Sequence, residues 1–382
     1  MQRFKKVKWT QLPREVLVGH GVLDEISTVC RHLGVEKEAV VVTGSHYTRK
    51  VAGERVVEIL SDAGYEVKLV EVPGISRESV ERVVEQVKET RARVGAKARA
   101  KFLLGVGGGS VIDTAKIASF ELGVPFVSVP TIASHDGIAS PRASVKGKGK
   151  GEGKGKGEGE GEDGGTSFSV QADAPLAVVA DTEIISSAPF RFTAAGCGDL
   201  LANYTAVRDW QLARRLRNAE FSSSAAALSE KTAEMVIERV KEISVKDEQS
   251  AWTVLKALVS SGVAISIAGT SAPASGSEHK FSHALDRLVE NSAARALHGE
   301  QCGVGTIMMS YLYGENWRRI RETLKEIGAP TTAKELGVKD EFVIAALTLA
   351  HKINPARYTI LGDSGLTSEA AERLAVATGV ID

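Results

Sequence analysis

A glycine-rich segment in the first third of the chain constrains the fold more than any other feature. It reads Gly105-Val-Gly-Gly-Gly-Ser-Val-Ile-Asp113-Thr-Ala-Lys116, follows the apolar residues 102–104, and opens an apolar-periodic stretch that continues to Leu122. This order predicts a strand, a tight turn and a helix N-terminus, where free backbone N–H groups can hold a pyrophosphate. Glycine lacks the Cβ atom that would block the phosphate, although a plain tight connection between a strand and a helix has the same signature.

Strand-like and helix-like runs alternate around this turn. We predict a helical segment from Glu78 to about Ala98 and apolar strands at residues 39–43, 66–72, 102–105 and 125–129. Such alternation predicts an α/β fold with a Rossmann-like parallel sheet, whose ligands bind at the carboxyl ends of the strands.

The pattern changes after Pro189, where long helical stretches such as residues 222–243 and 251–268 dominate. We therefore predict two domains with a cleft between them. Residues 1–188 form an α/β dinucleotide-binding domain, and residues 189–382 form an all-helical metal and substrate domain.

Composition excludes several classes of partner. Lys plus Arg and Asp plus Glu each number 48, so the net charge is zero and no nucleic-acid surface is expected. No run reaches the roughly 18 apolar residues of a membrane span, and the basic N-terminus lacks a signal-peptide core. The three cysteines, Cys30, Cys197 and Cys302, are too few for a disulfide framework. We expect a cytoplasmic protein without membrane insertion.

A low-complexity run of Gly alternating with Lys or Glu spans residues 146–165. It contains no apolar residues for a core, so we predict a disordered loop. The alternating flanks, residues 143–145 and 167–170, predict a β-hairpin that carries this loop. A role as an electrostatic contact loop and an engineered replacement are the alternatives.

Three segments carry side chains of the types that bind divalent metals. Asp199 follows two glycines at an expected helix start, His279 and His283 stand at i and i+4 on one helix face, and His298 follows the next break. One carboxylate with two histidines suits a catalytic zinc ion. Each residue also has another interpretation: Asp199 as a helix N-cap, either paired histidine as a core residue, and His298 as a helix-end residue that compensates the dipole.

A polar segment, Thr131-Ile-Ala-Ser134-His-Asp136-Gly137, follows the strand predicted to end at Val129. Its position at the carboxyl end of a parallel strand places it where ligands bind. Since Asp and Ser also favour turns, a simple turn is the alternative.

Together these segments resemble the superfamily of glycerol dehydrogenases, iron-type alcohol dehydrogenases and dehydroquinate synthases. The glycine triplet, the Pro130–Asp136 segment, Gly198-Asp199, the paired histidines and His298-Gly-Glu300 follow the order of that superfamily. The chain is most similar to its archaeal sn-glycerol-1-phosphate dehydrogenase branch. The likeness runs from about residue 13 to residue 361, except for the Gly/Lys/Glu run, where that branch has a short hairpin tip. It is carried by residues 134–141, 203–206, 274–286, 298–301 and 357–361.

The resemblance implies a Zn²⁺ ion bound by Asp199, His279 and His298. It implies that Asp136 orients a substrate hydroxyl and that His283 serves as a neighbour for orientation or proton relay. It further implies NAD(P)H bound across the glycine turn. The implied cofactor-binding residues are Gly107, Gly108, Gly109, Ser110, Asp113, Thr131, Ser134 and Ser140.

The activity implied by the resemblance is reduction of dihydroxyacetone phosphate to sn-glycerol 1-phosphate, for archaeal ether lipids, by a homo-oligomer. A glycerol dehydrogenase acting on dihydroxyacetone, a dehydroquinate-synthase-like lyase and a non-catalytic binding protein are the alternatives. Lys280, Arg142 and Arg208 are candidates for binding the phosphate, or ordinary surface charges. The turn at residues 43–46 has neither an acid nor an arginine, so we expect both coenzymes to be used.

Overall fold

The computed structural model describes residues 10–35, 37–94, 102–146, 167–289 and 296–382. The strands of this part of the chain are β1 (Glu15–Gly19), β2 (Glu38–Thr43), β3 (Glu66–Glu71), β4 (Phe102–Gly107), β5 (Phe126–Pro130), β6 (Arg142–Lys146), β7 (Ser167–Gln171) and β8 (Ala177–Asp181). Six of them form one parallel sheet in the order β1-β8-β5-β4-β2-β3. The other two, β6 and β7, form an antiparallel hairpin.

α-Helices cover the sheet and form most of the chain after residue 189. Those before residue 189 are α1 (Ile26–His32), α2 (His46–Thr48), α3 (Glu54–Asp62), α4 (Arg77–Val94), α5 (Gly109–Leu122) and α6 (Thr182–Ser187). Those after it are α7 (Arg191–Arg217), α8 (Ser223–Glu238), α9 (Val240–Ile243), α10 (Glu248–Ala268), α11 (Ser277–Leu288), α12 (His298–Leu312), α13 (Trp317–Ile327), α14 (Ala333–Leu336), α15 (Asp340–Leu349) and α16 (Ser368–Ala377).

The central strands are buried on both faces. Val40 and Val42 of β2 belong to a hydrophobic cluster that includes α4 and α5, whereas Ala39 and Val41 belong to a second cluster with α1 and α3. This alternation is the two-residue period of a strand covered by helices on both sides. The predicted parallel α/β sheet is therefore confirmed. Strands β1 and β8 were not predicted.

The predicted hairpin is also present, with β6 and β7 paired from Arg142 opposite Gln171 to Lys146 opposite Ser167. Most of the Gly/Lys/Glu run, residues 147–165, lies outside the described residues. The end of the helix predicted from Glu78 to about Ala98 also lies there, since the described part of α4 ends at Val94.

Helix α10 is apolar and long enough to cross a membrane by length and composition, but 72% of its apolar window is buried inside the protein. It packs against α6, α7 and α8. Such burial is typical of the core helix of a soluble protein.

Candidate metal centre and cofactor cleft

The glycine-rich segment folds as the predicted strand, turn and helix. Strand β4 ends at Gly107 and helix α5 begins at Gly109. A Cβ atom at Gly107 would lie 2.9 Å from the Val111 side chain, and one at Gly105 would lie 3.0 Å from Ala115. These two glycines thus allow α5 to pack closely on β4, while the next two face a cavity.

This cavity has a volume of about 550 Å³, which is in the range of small-molecule sites. Gly107 and Thr131 do not line it; the Thr131 N–H donates to the Gly107 carbonyl at 3.0 Å and joins the ends of β5 and β4. The residues singled out in the sequence that do line it are Gly108, Gly109, Ser110, Asp113, Ser134, Asp136, Ser140, Asp199, His279, His283 and His298.

Three helices bring the candidate metal ligands together in one wall of this cavity. Asp199 Oδ1 lies 3.6 Å from His279 Nε2 and 3.8 Å from His298 Nε2. A tetrahedral zinc ion with bonds of about 2.0–2.1 Å would separate such donors by about 3.4 Å. A sulfur atom, that of Cys302, belongs to the same group, and all four donor atoms lie within 4.8 Å of one another. The donor set therefore fits a divalent metal ion.

The prediction that Asp199 starts a helix is wrong, and so is its alternative as an N-cap. Helix α7 runs without a break from Arg191 to Arg217, so Asp199 lies inside it. Gly196 and Gly198 are required by close packing and not by a turn. A Cβ atom at Gly196 would collide with the Ala133 carbonyl, and one at Gly198 would collide with the Gly299 carbonyl of α12. These glycines let α7 approach both the loop after β5 and the helix that carries His298.

His298 is the first residue of α12, where the helix dipole disfavours a positive charge, so the dipole-compensation alternative is also wrong. The start of α12 is held by Glu300, whose carboxylate accepts the Leu297 N–H at 2.7 Å. Arg191 of α7 donates two further hydrogen bonds to this carboxylate, at 2.6 and 2.7 Å. The sequence did not predict that Glu300 caps this helix, because Leu297 stands where a capping box normally has Ser or Thr.

Neighbouring side chains orient both imidazole rings. Ser282 donates its hydroxyl to Gln301 Oε1 at 2.6 Å, so its oxygen can accept the His298 Nδ1–H at 3.1 Å. His279 Nδ1 likewise lies 3.0 Å from Glu278 Oε1. Both hydrogen bonds occupy Nδ1 and leave Nε2 directed at Asp199, the arrangement that holds a histidine as a metal ligand.

The electrostatics of this cluster favour one positive charge between the ligands. Burial opposes ionisation of Asp199, but its hydrogen bond and charge interaction with His279 lower its pKa to about 2. Burial also opposes protonation of His279, yet the Cys302 sulfur, Asp199 and Glu278 raise its pKa well above the ordinary value. Burial, and then the charge on His279, lower the pKa of His298. An ionised carboxylate buried between two imidazoles favours the binding of a cation among these three groups.

Two more titratable groups surround the ligands. Burial, followed by repulsion from the Asp199 carboxylate, raises the pKa of Asp136 to about 6. The Asp136 N–H donates to Asp199 Oδ2 at 3.0 Å, and its own carboxylate accepts the Ser261 hydroxyl at 2.6 Å. Burial lowers the pKa of His283 to about 3, so this ring is neutral.

His135 is a cavity residue to which sequence reasoning assigned no role. Its ring lies directly over the glycine turn, where it would collide with a Cβ atom at Gly109. Its Nδ1 accepts the Gly137 N–H at 2.9 Å. The only sequence signal was its position between Ser134 and Asp136.

The cavity also has a cationic wall. Lys280 and Arg287 of α11 line it together with Arg357 and Arg142. Burial lowers the pKa of Lys280 to about 8. Arg208, the other phosphate candidate, is not a lining residue, and instead contacts Glu230 at 2.6 Å and Glu315 at 3.2 Å.

This chain is similar to known proteins in two respects, the sequence of its first part and its overall fold. Residues 17–156 match the family described as iron-containing alcohol dehydrogenase. The structure is similar to a probable glycerol dehydrogenase from Sinorhizobium meliloti, with a TM-score of 0.75 at 20% identity, covering 97% of this chain and 98% of that chain. The chain thus has the fold of the iron-containing alcohol dehydrogenases and glycerol dehydrogenases.

Relatives with much higher sequence identity show which family within this fold the chain belongs to. The glycerol-1-phosphate dehydrogenase, NAD(P)⁺-dependent, of Methanosarcina mazei is 56% identical over 375 residues, which cover 98% of this chain and 97% of that protein. The protein of the same name from Thermococcus kodakarensis is 48% identical over 378 residues, or 99% of each chain. The chain belongs to this NAD(P)⁺-dependent glycerol-1-phosphate dehydrogenase family, and is an oxidoreductase. The lyase and the non-catalytic alternatives are thereby disfavoured.

Proposed function

We propose that this chain reduces dihydroxyacetone phosphate to sn-glycerol 1-phosphate with NADH or NADPH. One observation carries the proposal: the glycine turn before α5 and the Asp199, His279 and His298 cluster open into the same cavity. A hydride donor and a polarised ketone can meet there. The dinucleotide-binding part is residues 1–188, and the metal and substrate part is residues 189–382. The wider role is archaeal ether-lipid synthesis by a cytoplasmic homo-oligomer.

The cofactor binds across the glycine turn. Backbone N–H groups at Gly108, Gly109 and Ser110 receive the pyrophosphate at the positive end of α5. Gly107 and Thr131 lie next to the turn and stabilise it through the hydrogen bond from the Thr131 N–H to the Gly107 carbonyl.

Three further residues complete the cofactor side of the cavity. Ser134 and Ser140 line the cavity together with the glycine turn and the candidate metal ligands. Asp113 lies 3.0 Å from the buried Lys116 ammonium, which also donates to the Gly137 carbonyl at 2.7 Å. This ion pair holds the loop after β5 against α5 and therefore positions the nicotinamide contacts.

Asp199, His279 and His298 would hold a Zn²⁺ ion, which when bound supplies a Lewis acid for the ketone oxygen. Asp136 has one oxygen engaged by Ser261, and its other oxygen orients a substrate hydroxyl. His283 lines the cavity as a neutral imidazole, and its Nδ1 is buried without a hydrogen-bond partner among the described residues. As a neutral ring beside the ligands, it orients its neighbours or takes part in a proton relay.

The cationic wall favours a phosphorylated substrate over dihydroxyacetone. Lys280, His283 and Arg287 share one face of α11, at i, i+3 and i+7, so the cations lie beside the proposed reaction centre. Arg357 reaches the same cavity while it donates to the Ser275 carbonyl at 2.7 Å. A phosphate group can pair with these cations, and an uncharged triol or ketone cannot.

The test is a cofactor-oxidation assay. Dihydroxyacetone phosphate and dihydroxyacetone are compared with NADH and NADPH, with and without a chelator, and the chirality of the product is determined. Fast, chelator-sensitive turnover of the phosphate ester supports the proposal. Preference for dihydroxyacetone would assign the chain to glycerol dehydrogenases, and no turnover of either ketone by the zinc-loaded protein would overturn a reductase function.

A further inference from the structure

His135 lines the cavity beside the glycine turn, and no step of the proposed reaction uses it. Its imidazole ring occupies a slot between two glycines. A Cβ atom at Gly109 would collide with Nε2 of this ring, and one at Gly137 would collide with Cε1 and Nδ1. The ring therefore needs glycine on both sides, one at the start of α5 and one in the loop after β5.

The hydrogen bond of this ring determines which of its nitrogens carries the proton. Nδ1 accepts the Gly137 N–H at 2.9 Å. A neutral imidazole has one donor and one acceptor nitrogen, so the proton of His135 is on Nε2. Nε2 is also the ring atom that comes closest to the position of a Gly109 Cβ, and no group among the described residues accepts a hydrogen bond from it. The slot thus presents an unused N–H donor beside the glycine turn.

The start of α5 next to this donor favours an anion. The N-cap of this 14-residue helix is Gly108, which makes no side-chain cap, and the first turn contains no acidic residue. The free N–H groups and the positive end of the helix dipole attract a phosphate group. A side-chain N–H in the same place can add a charge-assisted hydrogen bond to a phosphate oxygen.

We propose that His135 binds the pyrophosphate of the cofactor by donating its Nε2–H to a phosphate oxygen. This inference rests on the proposed function, because it requires NADH or NADPH to lie across the glycine turn. The side-chain donor complements the backbone N–H groups of α5. The ring is held in advance by the Gly137 N–H and by the two glycines, so little conformational freedom is lost when the cofactor binds.

Two substitutions separate the proposed donor from the contact with the loop. In His135→Asn the amide oxygen can still accept the Gly137 N–H, but the side chain is too short to place a donor at the Nε2 position. In His135→Gln the amide nitrogen can reach that position, but the Nδ1 acceptor is lost. His32→Asn is the control, since His32 is an exposed histidine on α1 that does not line the cavity.

The experiment measures ligand binding by the full-length protein. NADH binding is followed by fluorescence, and ADP-ribose, which has the pyrophosphate but no nicotinamide, is measured by competition. We expect the Kd of both ligands to rise by about tenfold or more in His135→Asn, the effect of losing a hydrogen bond to a charged group. His135→Gln should retain most of the affinity, and His32→Asn all of it. Circular dichroism and zinc affinity should be unchanged in every variant.

The other outcomes contradict the proposal in different ways. Native affinity for both ligands in folded His135→Asn would overturn it, and equal losses in the Asn and Gln variants would reduce the ring to a support for the loop. Weaker binding of NADH with unchanged binding of ADP-ribose would assign the contact to the nicotinamide instead. Failure of the native chain to bind either ligand would overturn the proposed function itself.

Discussion

At the scale of single residues, groups outside the proposed ligand set determine the orientation of the candidate metal ligands. The Ser282 hydroxyl holds the His298 ring by its Nδ1, and the Glu278 carboxylate holds the His279 ring in the same way. These contacts select the tautomer with a free Nε2 in both rings.

Replacing Ser282 by alanine tests this orientation. Ser282→Ala removes the acceptor for the His298 Nδ1–H, so zinc affinity should fall by about 10- to 100-fold while the fold persists. Competition with a chelator of known affinity measures the change. Ser260→Ala, which removes a hydroxyl bonded only to its own helix, is the matched control. Equal zinc affinity in the two variants would exclude a role for Ser282 in orienting the ligand.

The cationic wall leads to a prediction about substrate choice. Lys280→Met removes one charge from the proposed phosphate subsite, and a hydrogen bond to a charged group contributes about 1.5–3 kcal/mol. We expect KM for dihydroxyacetone phosphate to rise by at least about tenfold, with little change for dihydroxyacetone. Steady-state kinetics on both ketones measure this, with Lys256→Met, an exposed lysine on α10, as the control. An equal rise in KM for both ketones would contradict a phosphate-specific role and indicate a general disruption of the cavity.

At the scale of helices, the candidate metal centre depends on how closely α7 and α12 approach each other. Gly198 and Gly299 meet through their backbones, and Gly303 lies next to this contact. The Glu300 and Arg191 pair ties the same two helices at the edge of the contact. This approach brings Asp199 and His298 within reach of one ion.

Gly198→Ala should therefore both destabilise the protein and weaken metal binding. The added methyl group must push α12 away, and overpacking of this kind costs about 1–3 kcal/mol. Urea unfolding and zinc titration measure the two effects. Gly74→Ala is the control, since a Cβ atom there meets open space at an ordinary backbone angle. A stable Gly198→Ala protein with native zinc affinity would show that the helices can separate without loss of the site.

At the scale of the whole molecule, the cavity joins two parts of the chain for which we propose different tasks. The proposed cofactor contacts all precede residue 141, and the candidate metal ligands all follow residue 198. Cofactor binding and metal binding should therefore be separable, although turnover needs both.

Removal of the metal tests this separation. After chelation, turnover should be lost while NADH still binds, as measured by the fluorescence of the bound coenzyme. Restored Zn²⁺ should raise the melting temperature with concentration, since an ion that binds only the folded state stabilises it by mass action. Asp199→Asn should behave like the chelated protein and fail to respond to zinc. Full turnover by metal-free protein would contradict the proposed role of the ion.

Local patterns in the sequence determined the features that depend on neighbours in the chain. The run from Phe102 to Leu122 was predictable because apolar periodicity and glycine chemistry act within a few residues. The spacing of His279 and His283 likewise places both on one helix face wherever that helix packs. The family motifs added the ligand set as an expectation.

Only the tertiary structure decided how distant segments combine. Gly196 and Gly198 suggested a break because glycine disfavours helix, yet α7 continues through them, because contacts with Ala133 and Gly299 leave no room for a side chain. That constraint comes from residues about 60 and 100 positions away in the chain, which no local pattern records. For the same reason the place of Cys302 beside the candidate metal ligands, and the cations that line the same cavity as the glycine turn, emerged only from the packing of the helices.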